Sequence, residues 1–261
     1  ETVGLGGDSA VRYDKYGQFY LDTVRVIPLS IAADRWPVIV TKLQDLLETK
    51  EKHTLLLHEF FTLVKNISNS PLYNEEEKQF CEALKKGPLI YEEAAAAIGK
   101  DIYNFKVDRL EKEGIVMRCG LTPTDIMHIR GDFNKYCVTA AEFGAQFLAR
   151  STGMSVEELC DKVYYTIKKK LYYNIAGILL KENMPEFREP GLCSKLKAFI
   201  NRAWDISQGE ESEHLKFSFT TSSVLIGVGA PIHIFLPDVA RALGTTCIIP
   251  EQAGVVNAVG A

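Results

Sequence analysis

The stretch of residues 222–251 constrains the fold of this chain most strongly. Residues 222–227 form an apolar run that predicts a buried strand, and the small residues 227–230 that follow predict a tight turn. Residues 231–243 then predict a helix with proline in its first turn, and residues 246–249 predict a second strand. A strand, a helix and a strand in this order indicate a parallel βαβ unit and hence an α/β fold.

The turn of this unit is the first candidate site. Gly227, Gly229 and Ala230 would let the backbone approach a ligand closely, and the helix that follows would offer N–H groups to an anion. Glu251 lies where a dinucleotide-binding fold carries the acid that holds the ribose, but Ile232 replaces the third glycine of that fingerprint. The pattern therefore predicts nucleotide binding, and a plain tight turn in a parallel sheet remains an equal alternative.

A second candidate site is the run Gly6-Gly7-Asp8-Ser9, which precedes two predicted strands, 10–13 and 18–26, joined by a hairpin turn at 14–17. The two glycines allow backbone conformations that other residues rarely adopt. The carboxylate of Asp8 and the hydroxyl of Ser9 are suited to binding a phosphate, Mg²⁺ or a polar substrate. We predict that Gly6, Gly7 and Ser9 bind substrate and that Asp8 is catalytic. The simpler alternative is a turn held by an Asx hydrogen bond, because any turn prefers these residue types.

A third candidate site lies in residues 120–125, which read Gly-Leu-Thr-Pro-Thr-Asp, and in His128. Asp125 or His128 could act as a general base, with Thr122 and Thr124 binding the substrate. The alternative is that these residues only cap the helix that follows, which is a common use of threonine and aspartate.

Composition narrows the function classes. The chain has 261 residues, 46% hydrophobic and 25% charged, which is typical of a globular protein, and its net charge of −4 argues against a general nucleic-acid or anionic-membrane binder. Its six cysteines include no CxxC pair, so we expect reduced thiols in a cytoplasmic protein. Cys119, His128 and Cys137 lie too far apart for a typical zinc site, so we predict no bound metal among them.

The middle of the chain is predominantly helical in pattern. We predict a helical linker over residues 31–72, a winged-helix-like insertion over 73–135 and a helical region over 136–214, with a helix at 54–64. The insertion is inferred from three short helices followed by a β-hairpin. The outward side of its third helix, 102–113, would carry acidic as well as basic residues. Because acidic side chains are repelled by DNA phosphates, this mixture favours packing over DNA binding. A winged-helix transcriptional regulator that senses a ligand is the alternative function.

Three segments of the chain resemble the hydantoinase/oxoprolinase family. They are Thr-Val-Gly-Leu-Gly-Gly-Asp-Ser at residues 2–9, Gly-Leu-Thr-Pro-Thr-Asp at 120–125, and Gly-Val-Gly-Ala-Pro at 227–231 with Asn-Ala-Val-Gly-Ala at 257–261. The resemblance implies an actin-like ATPase (ribonuclease H-like) half-domain, with residues 1–30 and 215–261 in one core. The helical middle and the winged-helix-like insertion would interrupt this core.

The resemblance also implies an activity, the ATP-dependent opening of a cyclic amide such as a hydantoin or 5-oxoproline. ATP with Mg²⁺ would phosphorylate the carbonyl oxygen so that water can attack, although relatives carboxylate ketones instead. Gly227, Gly229 and Ala230 would then belong to the adenosine loop. Asp8, Ser9, Thr124 and Asp125 are placed on the substrate side.

One departure from the family pattern limits this expectation. The Asp-x-Gly-Gly-Thr motifs that hold the phosphates in the family do not occur in the chain, and both ends lie inside patterned segments. We therefore expect the chain to be the C-terminal part of a longer protein and to be inactive alone. Its expected partners are a small cyclic amide and the missing N-terminal half. Whether a second copy or another subunit completes the site stays open.

Overall fold

A computed structural model describes residues 7–49, 55–67, 70–188, 191–209, 214–229, 231–251 and 253. The chain divides into two compact units, Gly6–Val163 and Tyr164–Ala261 with Glu1–Leu5. Residues 6–30 therefore group with the middle of the chain, whereas the sequence placed them with residues 215–261. The architecture is mixed α/β, with many helices and small sheets.

The strands of the first unit are β1 (Ser9–Tyr13), β2 (Phe19–Arg25), β3 (Ile27–Pro28), β4 (Phe60–Leu63), β5 (Leu89–Ile90) and β6 (Val116–Gly120). Its helices are α1 (Leu29–Arg35), α2 (Val38–Glu48), α3 (Glu75–Leu84), α4 (Tyr91–Ala96), α5 (Asp108–Lys112), α6 (Pro123–Arg130) and α7 (Val138–Thr152). Helix α8 (Val156–Asn183) begins in this unit and continues into the other.

Strands β1 and β2 form the predicted antiparallel hairpin. Its turn is held by Asp14, whose carboxylate accepts hydrogen bonds from the backbone N–H groups of Tyr16 (2.8 Å) and Gln18 (2.9 Å). Gly17 closes the turn at a φ of 74°, a conformation that glycine adopts without steric cost. The hairpin prediction is confirmed.

The first unit also contains a four-stranded sheet of order β3-β6-β4-β5. Strand β3 is parallel to β6, and β4 is antiparallel to both of its neighbours. The helix predicted over residues 54–64 is therefore wrong where β4 lies. Phe60 and Phe61 are both fully buried, and a strand buried on both faces reads as a continuous apolar run that periodicity does not separate from a helix.

The winged-helix-like region is built differently from its prediction. After β6 the chain enters α6 instead of the second strand of a hairpin, so the predicted hairpin is wrong. Its place in the sheet is taken by β4, which precedes α3 in the sequence. The third helix is also shorter than residues 102–113, because the Asp101 carboxylate accepts bonds from the N–H groups of Tyr103 and Asn104 and caps a turn there.

The core of this region is aromatic. Phe61, Phe80 and Phe105 are buried and meet edge to face, with ring centroids between 5.3 and 6.0 Å apart. Helices α1, α2 and α6 all pack against α7. Helix α6 was predicted as part of the winged-helix-like insertion, but it packs with helices that lie outside that insertion.

The second unit contains most of α8, a 3-10 turn (Pro185–Phe187), α9 (Ser194–Ser207), β7 (Leu225–Ile226), α10 (Ile232–Ala242) and β8 (Cys247–Ile248). Trp204 of α9 is fully buried against Tyr172 of α8, with ring centroids 5.4 Å apart. Strands β7 and β8 pair in parallel, which confirms the predicted βαβ connection. Across the described part of the chain, none of the helices has the length and apolar character that crossing a membrane requires.

Candidate functional site

The structure brings two of the three motifs together. The hydroxyl of Thr124 donates a hydrogen bond to the carbonyl oxygen of Gly7 at 2.9 Å, and the backbone N–H of Thr124 donates to the same oxygen at 3.3 Å. On the other side of the turn, the carbonyl oxygen of Asp8 accepts from the N–H of Val26 at 2.8 Å. The turn that carries Asp8 is therefore fixed between the start of α6 and the end of β2. Gly6 lies outside the described residues.

Asp125 is the buried anchor of this arrangement. Its carboxylate accepts hydrogen bonds from the N–H groups of Leu29 (3.1 Å) and Ser30 (2.8 Å) at the start of α1. It also accepts from the N–H and the hydroxyl of Thr122, both at 2.9 Å, in a capping box that begins α6. Burial raises the pKa of the Asp125 carboxyl, and the bonds from Ser30 and Thr122 oppose this rise. One side chain thus joins the first turns of two helices.

His128 is also buried, and both of its ring nitrogens have partners. Nδ1 lies 2.8 Å from the carbonyl oxygen of Thr124, and Nε2 accepts from the N–H of Tyr136 at 3.1 Å. These two bonds specify the neutral tautomer protonated on Nδ1. The ring also packs between Phe133 and Tyr136. In this arrangement His128 fixes the end of α6, and a catalytic role for His128 or Asp125 stays a prediction.

Asp8 is the acid of this cluster that solvent can reach. Its side chain is 45% exposed and forms an ion pair of 3.2 Å with Arg25, which is 78% exposed. Ser9, by contrast, is buried at the start of β1. Of the residues predicted to be catalytic, Asp8 therefore has the position best suited to meeting a ligand.

The third motif lies in the second unit, at the turn between β7 and α10. A Cβ on Gly227 would lie 2.8 Å from Cδ2 of Leu236 and 3.0 Å from Cγ1 of Ile232, so only glycine lets β7 approach α10 this closely. Gly229 has a φ of 111°, outside the range of other residues. Glu251 is exposed, and Ala230 lies outside the described residues.

The backbone donors of this turn are largely occupied. The N–H of Gly227 donates to Ile248 at 2.9 Å, that of Gly229 to Ala253 at 2.7 Å, and that of Ile232 to Gly229 at 3.2 Å. They are therefore not free to hold phosphate oxygens. Within the described ranges, no group of three or more His, Cys, Asp or Glu residues is arranged to hold a metal ion.

Sequence reasoning missed a buried ionic cluster around Glu59. This carboxylate is fully buried and forms ion pairs with Arg12 (2.5 Å) and Arg118 (2.7 Å). Burial alone would raise the pKa of Glu59, but the two guanidinium groups lower it below its ordinary value. Gly120 makes room for the carboxylate, since a Cβ there would lie 3.0 Å from Oε1. The signal in the sequence was a charged residue directly before the apolar Phe60-Phe61 pair.

His58, next to Glu59, was also missed. It is fully buried against Phe147, with ring centroids 5.0 Å apart, and neither ring nitrogen has a hydrogen-bond partner among the described residues. Burial lowers the pKa of His58 to about 4, with the Glu59 charge opposing the shift. His58 is therefore neutral at physiological pH.

The surface of α5 bears on the alternative of DNA binding. Arg109 is engaged by Glu77 and Glu113, at 3.2 and 3.0 Å. Arg118, on the neighbouring strand, is engaged by Glu111 at 2.8 Å. A face on which bases are already paired with acids favours packing over phosphate binding.

Comparison with protein-family models, with curated proteins and with solved structures finds no match. The functional conclusion therefore depends on the residues described above and on their geometry.

Proposed function

We propose that this chain is the C-terminal part of an ATP-dependent hydrolase that opens cyclic amides of the hydantoin or 5-oxoproline type. The observation that carries the proposal is the pair of hydrogen bonds from Thr124 to Gly7. The resemblance assigns both motifs to the substrate side although they lie far apart in the sequence. A shared substrate site requires the two motifs to be in contact, and in the structure they are. This contact is observed independently of the resemblance, and it supports the proposal.

In this proposal the residues of the first unit have different roles, some structural and one directed to the substrate. Asp125 and Thr122 hold the start of α6, Thr124 fixes the carbonyl oxygen of Gly7, and Asp8 faces the substrate. The exposed Asp8 carboxylate would accept a hydrogen bond from the ring N–H of the cyclic amide or from the attacking water. Asp125 and His128 act as positioning residues in this assignment, because their polar atoms are already bonded.

The second unit would contribute to nucleotide binding through Gly227, Gly229 and Ala230. ATP supplies a phosphoryl group that activates the amide carbonyl when it is bound, and the occupied N–H groups of the turn suit the adenosine side alone. The residues that hold the phosphates and Mg²⁺ would come from the part of the protein before this chain.

The proposal is tested with the complete protein. Phosphate release from ATP with Mg²⁺ is measured in the presence of hydantoins, 5-oxoproline and other lactams, with the matching open-chain amides as controls. We expect at least one ring to stimulate release and its open-chain counterpart to have no effect. If none of the rings stimulates release above the rate without substrate, the proposed function is wrong.

A further inference from the structure

A charged cleft of about 380 Å³ lies in the first unit, between the β1–β2 hairpin and α5. The hairpin contributes Arg12 and Asp22, and α5 contributes Asp108 and Lys112. This volume lies within the range of about 300–1,000 Å³ that is usual for small-molecule sites. None of these residues belongs to the motifs on which the proposed function depends.

Two further residues of the cleft, Arg118 and Glu111, form a rigid base. Nε and Nη2 of Arg118 donate to the two oxygens of the Glu111 carboxylate, both at 2.8 Å, and Nη1 donates to the buried Glu59 at 2.7 Å. A guanidinium bound on three sides in this way is held in one orientation. It contributes charge and shape to the cleft, and three of its five N–H donors are already used in these bonds.

Asp108 and Lys112, by contrast, are available to a ligand. They lie four residues apart, so they project from the same side of α5, and both are exposed. Within the described part of the chain, neither side chain has a hydrogen bond or an ion pair. Across the cleft, Oδ1 of Asp22 accepts a hydrogen bond of 3.3 Å from the N–H of Val24, and Oδ2 lies 3.6 Å from Nε of Arg12. Each wall therefore presents one acid and one base.

The balance of charge selects the kind of ligand. Arg12, Lys112 and Arg118 supply three positive charges and Asp22, Asp108 and Glu111 three negative charges to the lining, and the buried Glu59 carboxylate offsets part of the charge of Arg12 and Arg118. A simple anion or cation would meet repulsion from half of these groups, whereas a molecule with both charges can satisfy acids and bases together. We propose that the cleft binds a small zwitterion of the amino-acid class. Its carboxylate would lie against Lys112 and Arg12, and its ammonium group against Asp108 and Asp22.

The position of Arg12 connects this cleft to the Asp8 turn. Arg12 lies in β1, the strand that begins at Ser9, and it is anchored below by Glu59. A ligand that engages Arg12 would therefore act on the strand that carries the turn. This inference goes beyond the proposed function and does not depend on it, since binding is measured without ATP and without turnover.

The test uses the full 261-residue chain and isothermal titration calorimetry at an ionic strength of about 0.15 M, where the Debye length is about 8 Å. The probes are glycine, glutamate and 4-aminobutyrate as zwitterions, succinate as a dianion and 1,4-diaminobutane as a dication. We expect saturable binding of at least one zwitterion, and binding of the other two classes at least about tenfold weaker, a difference of about 1.4 kcal/mol. Asp108→Asn and Lys112→Gln should each weaken binding of that zwitterion about tenfold.

The matched controls are Lys106→Gln and Glu113→Gln, which change charges near α5 but outside the cleft. We expect both to leave the affinity within about twofold of the unchanged chain, because exposed charges at this distance are screened. Circular dichroism confirms that each variant is folded. Absence of saturable zwitterion binding would overturn the proposal. So would tighter binding of succinate or the diamine, or equal losses in the control and cleft variants.

Discussion

The hydroxyl of Thr124 donates a hydrogen bond to the carbonyl oxygen of Gly7, a residue 117 positions earlier in the chain. The backbone N–H of Thr124 donates to the same oxygen, so the first turn of α6 holds the turn that carries Asp8. The bond is part-buried and hence shielded from competing water. The position of Asp8 is therefore determined by a residue that is remote in sequence.

Replacing Thr124 with valine should loosen this turn. Thr124→Val keeps the size of the side chain and removes the hydroxyl donor, so we expect a loss of about 1 kcal/mol in the free energy of unfolding. Amide hydrogen exchange of Asp8 and Ser9 should accelerate more than that of the β1–β2 turn. The control is Thr23→Val, an exposed threonine in β2, which should leave both measurements nearly unchanged.

Replacing Asp125 should destabilise the fold more than replacing Thr124, because the Asp125 carboxylate accepts hydrogen bonds from four donors at the starts of two helices. Asp125→Asn keeps the shape but turns an N–H₂ group towards backbone N–H donors, which leaves buried donors without an acceptor. We expect the free energy of unfolding to fall by about 2–4 kcal/mol, measured by urea denaturation. Asp34→Asn, an exposed aspartate on α1, is the matched control and should change it by less than about 0.5 kcal/mol. Equal effects of the two changes would show that Asp125 does not anchor the helices.

His58 should make the first unit sensitive to acid. Its pKa is lowered to about 4 in the folded state from 6.5, so between these values the unfolded chain binds more protons and stability falls as the pH falls. The full shift corresponds to about 3 kcal/mol at about 1.36 kcal/mol per pH unit. Glu59, whose folded-state pKa is lowered, adds a loss only below its ordinary value of 4.5. The pKa of Asp125 is raised in the folded state, so this carboxyl changes the stability in the opposite sense as the pH falls, and only a variant of His58 isolates the His58 contribution.

This dependence is measured as the free energy of unfolding against pH for the unchanged chain and for His58→Leu. We expect the slope between pH 6.5 and 4.5 to become smaller in the variant. If His58→Leu kept the original slope, a different group would cause the acid sensitivity.

Gly227 should tolerate no side chain, because β7 and α10 approach each other there. In Gly227→Ala the new Cβ would meet Leu236 at 2.8 Å, and we expect the free energy of unfolding of the second unit to fall by about 1–3 kcal/mol. Leu236→Ala creates space at the same point, so the double variant should lose less than the sum of the two single losses. Strictly additive losses in thermal denaturation would contradict this close contact.

Local signals in the sequence predicted several elements correctly. The β1–β2 hairpin follows from two strand patterns around a turn with Asp14 and Gly17, and the parallel βαβ unit follows from apolar runs around Gly227 and Gly229. Ser155 and Glu158, three residues apart, form a capping box in which both bonds are present. In each case the residues that determine the structure are neighbours in the chain.

The remaining features depend on contacts between distant residues. Strand β4 was predicted as a helix because its partners, β5 and β6, come later in the chain and leave no local trace. The cluster of Arg12, Glu59 and Arg118 combines three elements, and a sequence does not show which charges will meet. The contact of Thr124 with Gly7 is of the same kind, although both motifs were recognised separately.

The most direct measurement follows ring opening and ATP hydrolysis together, in the complete protein. Product from the cyclic amide that stimulates phosphate release is quantified by mass spectrometry, and phosphate is quantified in the same samples. The account predicts equal amounts of ring-opened product and phosphate, and neither product when ATP or the cyclic amide is left out. Ring opening without ATP, or phosphate release without any ring-opened product, would contradict it.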